Sequence, residues 1–262
     1  MDHLELHALK QWFSGYCRSF YTPEPADQKN ILLKEEHTAR VIVNMAEIAG
    51  RLGLNEHARS VAEVIALFHD VGRFPQYHQY RTFRDSLSVN HATLGARVLT
   101  EQDVLRGLSV SDRELVLRAV SLHNVFSLPA QLDEETLLFV KMIRDADKLD
   151  IWRVFIGYYE LPGKDRPNAA GLGLPDTPDY SASVLDSLGK GEMVHLTSLR
   201  TLNDFKLLQL AWIFDLNFAR SLELVRERSY VDRLSSTLPG TPEIAAAVKT
   251  VREYVDRKIC VR

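Results

Sequence analysis

The sequence predicts an all-α protein, and three observations point to that class. Apolar residues recur at positions i, i+3, i+4 and i+7 in one segment after another, which is the spacing that places them on one face of a helix. Proline and glycine residues separate these segments, as they commonly do between helices. No stretch of useful length alternates apolar and polar residues as a half-buried strand does, and no internal repeat is detected.

The first part of the chain is predicted to form six helices. They cover residues 3–20, 27–52 and 56–70, a segment from His91 through Leu99, a segment from Ser111 to His123, and residues 133–159. Asn55 is the predicted N-cap of the third helix, and Ser88 or Asn90 that of the fourth. Residues 111–114 form a capping-box pattern at the start of the fifth. Residues 71–89 are predicted to be a long connection between helices.

After Tyr159 the composition changes. Residues 161–180 are rich in proline, glycine and aspartate, which is typical of a surface linker or of a lid over an active site. Helices are then predicted over residues 181–189, over residues 203–228 and from Pro242 to about Cys260. We therefore predict a helical domain of residues 1–160, followed by a linker or lid and C-terminal helices, residues 161–262, packed on the same bundle.

Composition narrows the classes of protein to which the chain could belong. With 262 residues, 45% of them hydrophobic and 26% charged, the chain suits a globular domain with a substantial core. A net charge of −3 provides no electrostatic footprint for nucleic acid or for an anionic membrane. The two cysteines, Cys17 and Cys260, lie near opposite ends and have no metal-type spacing, so we expect no disulfide framework.

The sequence also gives an expectation for location. The first seven residues lack the basic and apolar regions of a secretory signal, and no segment approaches 18 consecutive apolar residues. Together with the cysteine usage, these features predict a cytoplasmic protein without a membrane-bound segment.

The dipeptide His69-Asp70 is the feature of greatest chemical interest, because it ends a strongly apolar helical pattern. A carboxylate beside apolar residues is costly unless its charge is compensated, which a metal ion does well. Other ligand-type side chains also lie in or beside apolar helical patterns: His37, His91, His123, Asp145 and Asp147. The gaps between them each fit one helix and a connection, so separate helices could each donate a ligand to one centre. Asp145 and Asp147 point about 200° apart, and spacing alone does not choose between them.

These residues resemble the HD superfamily of metal-dependent phosphohydrolases. The strings that carry the resemblance, which covers about residues 30–155, are Phe68-His69-Asp70-Val71-Gly72-Arg73 and Ala146-Asp147-Lys148-Leu149. The resemblance implies an HD-type helical bundle with additional C-terminal helices, and it places the His…His-Asp…Asp signature on His37, His69, Asp70 and Asp147. His91 and His123 resemble the extra histidines of binuclear members, such as HD-GYP phosphodiesterases and mixed-valent di-iron oxygenases. No Gly-Tyr-Pro motif is present, so the cyclic-dinucleotide subgroup is not supported.

The resemblance implies a hydrolase that uses a metal-activated water to cleave a phosphate ester, in a nucleotide or another small phosphorylated substrate. The implied cofactor is one or two divalent transition ions, Mn, Fe, Co, Ni or Zn, with Asp70 bridging if there are two. The predicted metal ligands are His37, His69, Asp70, His91, His123 and Asp147. Asp70, Arg73 and Lys148 are the predicted catalytic residues, and Arg73, Arg84 and Lys148 the predicted substrate-binding residues, since cationic side chains match phosphate oxygens.

Two other functions are compatible with the same residues. An HD-type di-iron oxygenase would use similar ligands, and a degenerate member would be a non-catalytic nucleotide-binding sensor. Whether the chain forms a homodimer is also left open.

Overall fold

The residues described by the computed structural model, 3–161 and 173–260, form helices and no strand, which confirms the all-α class. The chain divides into two compact units, Met1–Asp147 and Lys148–Arg262. The predicted organisation, a domain of residues 1–160 with later helices packed on the same bundle, stays a prediction. Residues 162–172, most of the predicted linker or lid, lie outside the described residues. Within the described ranges, no helix combines the length and the apolar character needed to cross a membrane.

The helices of the first unit largely follow the predicted pattern. They are α1 His3–Arg18, α2 Pro25–Arg51, α3 Glu56–Phe68, α4 Arg73–Tyr80, α5 His91–Glu101, α6 Val110–Leu122 and the start of α7, Glu134–Glu160. As predicted, the Asn55 side chain caps α3 by accepting the backbone N–H of Ala58, and Asn90 caps α5. The α6 cap differs from the prediction, because Ser109, not Ser111, accepts the N–H of Asp112, and the helix begins earlier.

The predicted connection over residues 71–89 instead contains α4 and a short 3-10 helix, Asp85–Leu87. Pro75, which reads as a helix breaker, lies in the first turn of α4, where backbone N–H groups have no partner within the helix. Arg81 ends α4 in the left-handed conformation, at φ 54°. The segment after the His-Asp pair is therefore compact and folded.

Aromatic packing fixes the polypeptide on both sides of His69-Asp70. Trp12 and Phe13 of α1 contact Phe68, with ring centroids 5.8 and 6.2 Å from that of Phe68. Phe13 also packs against Phe74 at 6.0 Å. Phe68 and Phe74 are 0% and 2% exposed, so the segment between them is anchored to the core at both ends.

Gly72 allows this segment to lie directly against the start of α5. A Cβ atom at Gly72 would lie 2.1 Å from the carbonyl oxygen of His91 and 2.6 Å from the backbone nitrogen of Gly95. No side chain fits in that space, so the glycine permits the backbone contact that brings His91 beside Asp70.

The second unit consists of the end of α7 and shorter helices. These are α8 Ala182–Lys190, α9 Leu202–Ala211, α10 Ala219–Glu227, α11 Tyr230–Ser235 and α12 Pro242–Cys260, with 3-10 helices at Leu196–Ser198 and Trp212–Asp215. The prediction of a single helix over residues 203–228 is wrong, because the backbone becomes extended at Leu216 and Phe218. Trp152, 1% exposed, lies in the core of this unit and donates its indole N–H to the Gln209 carbonyl at 3.0 Å.

Candidate metal centre

The first unit brings the six predicted metal ligands into one cluster. They come from five places: the middle of α2 (His37), the turn after α3 (His69 and Asp70), the first residue of α5 (His91), the residue after α6 (His123) and the middle of α7 (Asp147). The four histidines and Asp70 are between 0% and 4% exposed. Burial of so many polar groups in one place requires a compensating interaction.

Asp70 is the centre of the cluster, because its two carboxylate oxygens face different pairs of imidazoles. Oδ2 lies 3.6 Å from Nε2 of His37 and 3.8 Å from Nε2 of His69. Oδ1 lies 3.3 Å from Nε2 of His91 and 3.8 Å from Nε2 of His123. The arrangement divides the ligands into two subsites that share one carboxylate, and each set of three ligand atoms lies within 4.8 Å of one another.

The first subsite contains His37, His69 and one oxygen of Asp70, with Asp147 beside them. The Nε2 atoms of His37 and His69 are 3.3 Å apart, and Oδ1 of Asp147 is 3.1 Å from Nε2 of His37. Two nitrogen or oxygen ligands that each lie about 2.1 Å from one transition ion are roughly 3.0–3.4 Å apart. These two distances match that spacing, whereas Oδ2 of Asp70 lies farther from Nε2 of His37 and of His69, at 3.6 and 3.8 Å. The ligand atoms of His37, His69 and Asp70 all lie within 4.8 Å of one another, so these three residues could hold one ion.

The second subsite contains His91, His123 and the other oxygen of Asp70. The Nε2 atoms of His91 and His123 are 3.0 Å apart. Nδ1 of His123 lies 2.7 Å from the carbonyl oxygen of Val120, which can only accept, so Nδ1 carries the proton and Nε2 presents a lone pair. In the first subsite Nδ1 of His69 contacts the Ala66 carbonyl in the same way, at 2.8 Å. Nε2 lone pairs crowded together in this way repel one another unless a cation lies between them, which is the condition that metal ions would meet.

Electrostatics keep both ligand types in the protonation state that metals require. Burial lowers the pKa of His69 and of His91, and it lowers the pKa of His123 to about 3, so the imidazoles are neutral at physiological pH. Burial acts to raise the pKa of Asp70, but the cations of Lys34 and Arg73 act against it, and that pKa lies well below its usual range. The cluster therefore combines neutral nitrogen donors with a central anionic carboxylate.

Comparison with known protein families identifies the segment that carries this cluster. The model of the HD domain family matches residues 35–152.

Residues 35–152 match the HD domain family.

The match confirms the resemblance drawn from the sequence, and the matched segment includes all six predicted ligands. The HD superfamily consists of metal-dependent phosphohydrolases and has an all-α fold. No curated protein and no solved structure matches the chain.

The HD domain also contains functional neighbours that sequence reasoning missed, and Lys34 lies just before the matched segment. Nζ of Lys34 donates to Oδ2 of Asp70 at 2.8 Å, and its side chain is 17% exposed. Lys34 precedes His37 by three residues on α2, so the two side chains share one helix face, a signal that could have found it. Asp85, which lies against His91, was also missed.

The three cations predicted to act on substrate have different surroundings. Nη1 of Arg73, which has two N–H groups, lies within 2.6–2.9 Å of three acceptors, in Gln76, the Phe83 carbonyl and Asp85. Nε of Arg73 lies 3.4 Å from Oδ1 of Asp70. Arg84 is exposed, and within residues 3–161 and 173–260 its guanidinium makes no hydrogen bond or ion pair. Nζ of Lys148, in the second unit, lies 2.8 Å from Asp215. Their assignment to catalysis or substrate binding stays a prediction.

Proposed function

We propose that this HD-domain protein is a metal-dependent phosphohydrolase that cleaves a phosphate ester in a nucleotide or another small phosphorylated substrate. The observation that carries the proposal is the position of Asp70 between two pairs of imidazoles, each pair facing one carboxylate oxygen. Such a site suits two ions held by one bridging carboxylate, which is an arrangement used for hydrolysis of phosphate esters.

The proposed cofactor is one or two divalent transition ions. His37, His69, Asp70 and Asp147 would hold one ion, and Asp70, His91 and His123 the other. A mixed nitrogen and oxygen donor set suits Mn, Fe, Co, Ni or Zn. When bound, the ions would supply Lewis acidity and lower the pKa of a coordinated water molecule.

The chain itself would orient the ligands and provide positive charge around the reacting phosphate. Lys34, by its contact with Asp70, keeps the bridging carboxylate ionised and fixed in direction. Of the proposed substrate-binding residues, Arg84 is exposed, and among the described residues nothing pairs with its guanidinium, which would leave that group to bind phosphate oxygens. Arg73 would act mainly through its charge beside Asp70, since Nη1 is held by three acceptors of the protein. Lys148, the neighbour of Asp147 in the chain, remains a proposed catalytic and substrate-binding cation.

Phosphate release with a panel of metals tests the proposed reaction. We expect the metal-free protein to be inactive and to release phosphate from nucleoside phosphates or small phosphate esters once Mn, Fe, Co, Ni or Zn is added. The rate should be the same in air and under argon, because hydrolysis consumes water and not dioxygen. If a product forms only in air, the reaction is an oxygenation and not a hydrolysis. If the protein binds nucleotide but shows no turnover with any of the metals, it acts as a sensor.

Replacement of Arg84 tests the proposed phosphate contact. Arg84→Ala should lower kcat/KM about tenfold on the best substrate from that panel, the scale for one lost charge-assisted contact at an accessible position, while the metal content stays at the wild-type level. Arg97→Ala is the matched control, because Arg97 is also an exposed arginine of this unit and pairs only weakly, at 3.8 Å, with Glu101. Equal kcat/KM values for the two variants would remove Arg84 from the proposed site.

A further inference from the structure

Asp85 collects hydrogen bonds from several segments around the second metal subsite. Its Oδ1 accepts from Nη1 of Arg73 at 2.9 Å and from Nε2 of Gln76 at 2.8 Å, and its Oδ2 accepts from Nδ2 of Asn124 at 3.1 Å. Nδ1 of His91 lies 2.9 Å from Oδ1 and 2.7 Å from Oδ2. A carboxylate has about four lone-pair directions, so these four donors match its whole capacity.

The neighbours that donate to Asp85 also hold it in place. Gln76 is fully buried, and its Nε2 also lies 2.9 Å from the Ser88 hydroxyl and from the Val89 carbonyl, so its two N–H groups are shared among three acceptors. Arg73 and Asn124 follow the ligands Asp70 and His123 closely in the chain. The carboxylate is thus attached to the same three segments that carry the second subsite, so its position relative to His91 is determined by several contacts at once.

The contact with Asp85 determines which nitrogen of His91 can bind a cation. An ionised carboxylate only accepts hydrogen bonds, so Nδ1 of His91 must be the protonated nitrogen. Nε2 then carries a lone pair, and that atom lies 3.3 Å from Oδ1 of Asp70 and 3.0 Å from Nε2 of His123. If the proton were on Nε2 instead, the ring would present a donor to the centre of the second subsite and could not bind an ion.

We propose that Asp85 is a positioning residue that locks His91 with its Nε2 lone pair toward Asp70 and His123, and thereby sets the affinity for the second metal ion. The inference deepens the proposed function and rests on its two-ion form. Asp85 does not touch the ion or the substrate in this role. Carboxylates that orient a metal-binding histidine in this way typically change metal affinity by about 10–100-fold when they are replaced.

Metal titration of variants is the first test. Wild-type protein, Asp85→Asn and Asp85→Ala are titrated with Mn²⁺, and free Mn²⁺ is counted by electron paramagnetic resonance. We expect the first ion to bind with unchanged affinity and the second about 10–100-fold more weakly in both variants. Asparagine is informative because its NH₂ group faces a ring of donors and cannot accept from them.

Asp112→Asn is the matched control for this titration. Oδ1 of Asp112 lies 3.0 Å from Nε2 of His57, so the control also removes a carboxylate from a histidine of the same unit, but that histidine is outside the metal cluster. Both ions should bind to the control as they do to wild type. Thermal denaturation of each variant shows whether it is folded before titration.

A second measurement does not depend on any variant being folded. Nitrogen-15 NMR of the metal-free wild-type protein should show His91 as the tautomer with the proton on Nδ1. A proton on Nε2 of His91 would overturn the proposal, as would an Asp85→Asn variant that binds the second ion as tightly as wild type. An equal loss of both ions would also overturn it, by showing a general structural role.

The outcome can be separated from that of the proposed function. If the wild type binds a single ion, the inference about Asp85 is wrong, yet phosphate release by that one-ion protein would leave the hydrolase proposal intact. If two ions bind with the predicted dependence on Asp85 but no phosphate ester is cleaved, the hydrolase proposal fails alone.

Discussion

Replacing Asp70 with asparagine should abolish binding of both metal ions and, with it, phosphate release. Asparagine keeps the shape of the side chain but removes the shared charge. The cation of Lys34, 2.8 Å from Oδ2, and that of Arg73, 3.4 Å from Oδ1, would then face neutral imidazoles and repel an incoming ion. The loss of affinity should therefore exceed the 10–100-fold that is typical for partners outside the ligand set, at about 100-fold or more for each ion.

Elemental analysis of metal-loaded, desalted protein measures this effect, with circular dichroism to verify the fold. Asp112→Asn again serves as the control and should retain the wild-type metal content. If Asp70→Asn keeps one ion at full affinity, Asp70 does not bridge the two subsites, and the division of ligands described above is wrong.

Gly72→Ala should destabilise the protein by about 3 kcal/mol, at the upper end of what overpacking usually costs. The added methyl group would meet the His91 carbonyl at 2.1 Å and the Gly95 nitrogen at 2.6 Å. Both are backbone atoms, which cannot rotate away as the end of a flexible side chain could. Relief therefore requires that α5 moves from the segment after Asp70, and we expect the second ion to bind more weakly as well. Urea denaturation measures the free energy of unfolding.

Gly50→Ala provides the matched control for that substitution. Gly50 lies near the end of α2 with nothing within 4 Å of an added Cβ. Alanine there should leave the free energy of unfolding unchanged or raise it by up to about 1 kcal/mol. A Gly72→Ala variant as stable as Gly50→Ala would show that the backbone contact at His91 is not tight in solution.

Much of the candidate metal cluster could be predicted from the sequence because the proposed ligands break a visible pattern. His69 and Asp70 end a run of buried apolar residues, where an ionisable pair has a cost that needs a reason. Asp147 could be separated from Asp145 only by the family resemblance, since helical spacing places the two on different faces without showing which face is inside. The structure places Asp147 against His37.

Asp85 and Lys34 could not be assigned so readily, because their roles depend on contacts made in three dimensions. Asp85 lies in a stretch rich in polar and aromatic residues, where an aspartate is expected by composition alone. Its approach to His91 requires α4, which the position of Pro75 concealed. The sequence also did not predict the end of the helix after α9. Apolar residues continue through Trp212–Asp215, and their spacing does not indicate where the backbone changes direction.

The groups that orient the imidazoles differ between His91 and the pair His69 and His123, and they differ in how easily a substitution can remove them. His69 and His123 each follow the last residue of a helix, and each contacts a main-chain carbonyl of that helix, those of Ala66 and Val120. A main-chain carbonyl is present whatever side chain occupies the position, so no single substitution removes it. His91 depends instead on the side chain of Asp85. On the proposed role of Asp85, one amino-acid change at a residue outside the ligand set would weaken the second subsite, which would give an evolving lineage a short route from a two-ion to a one-ion centre.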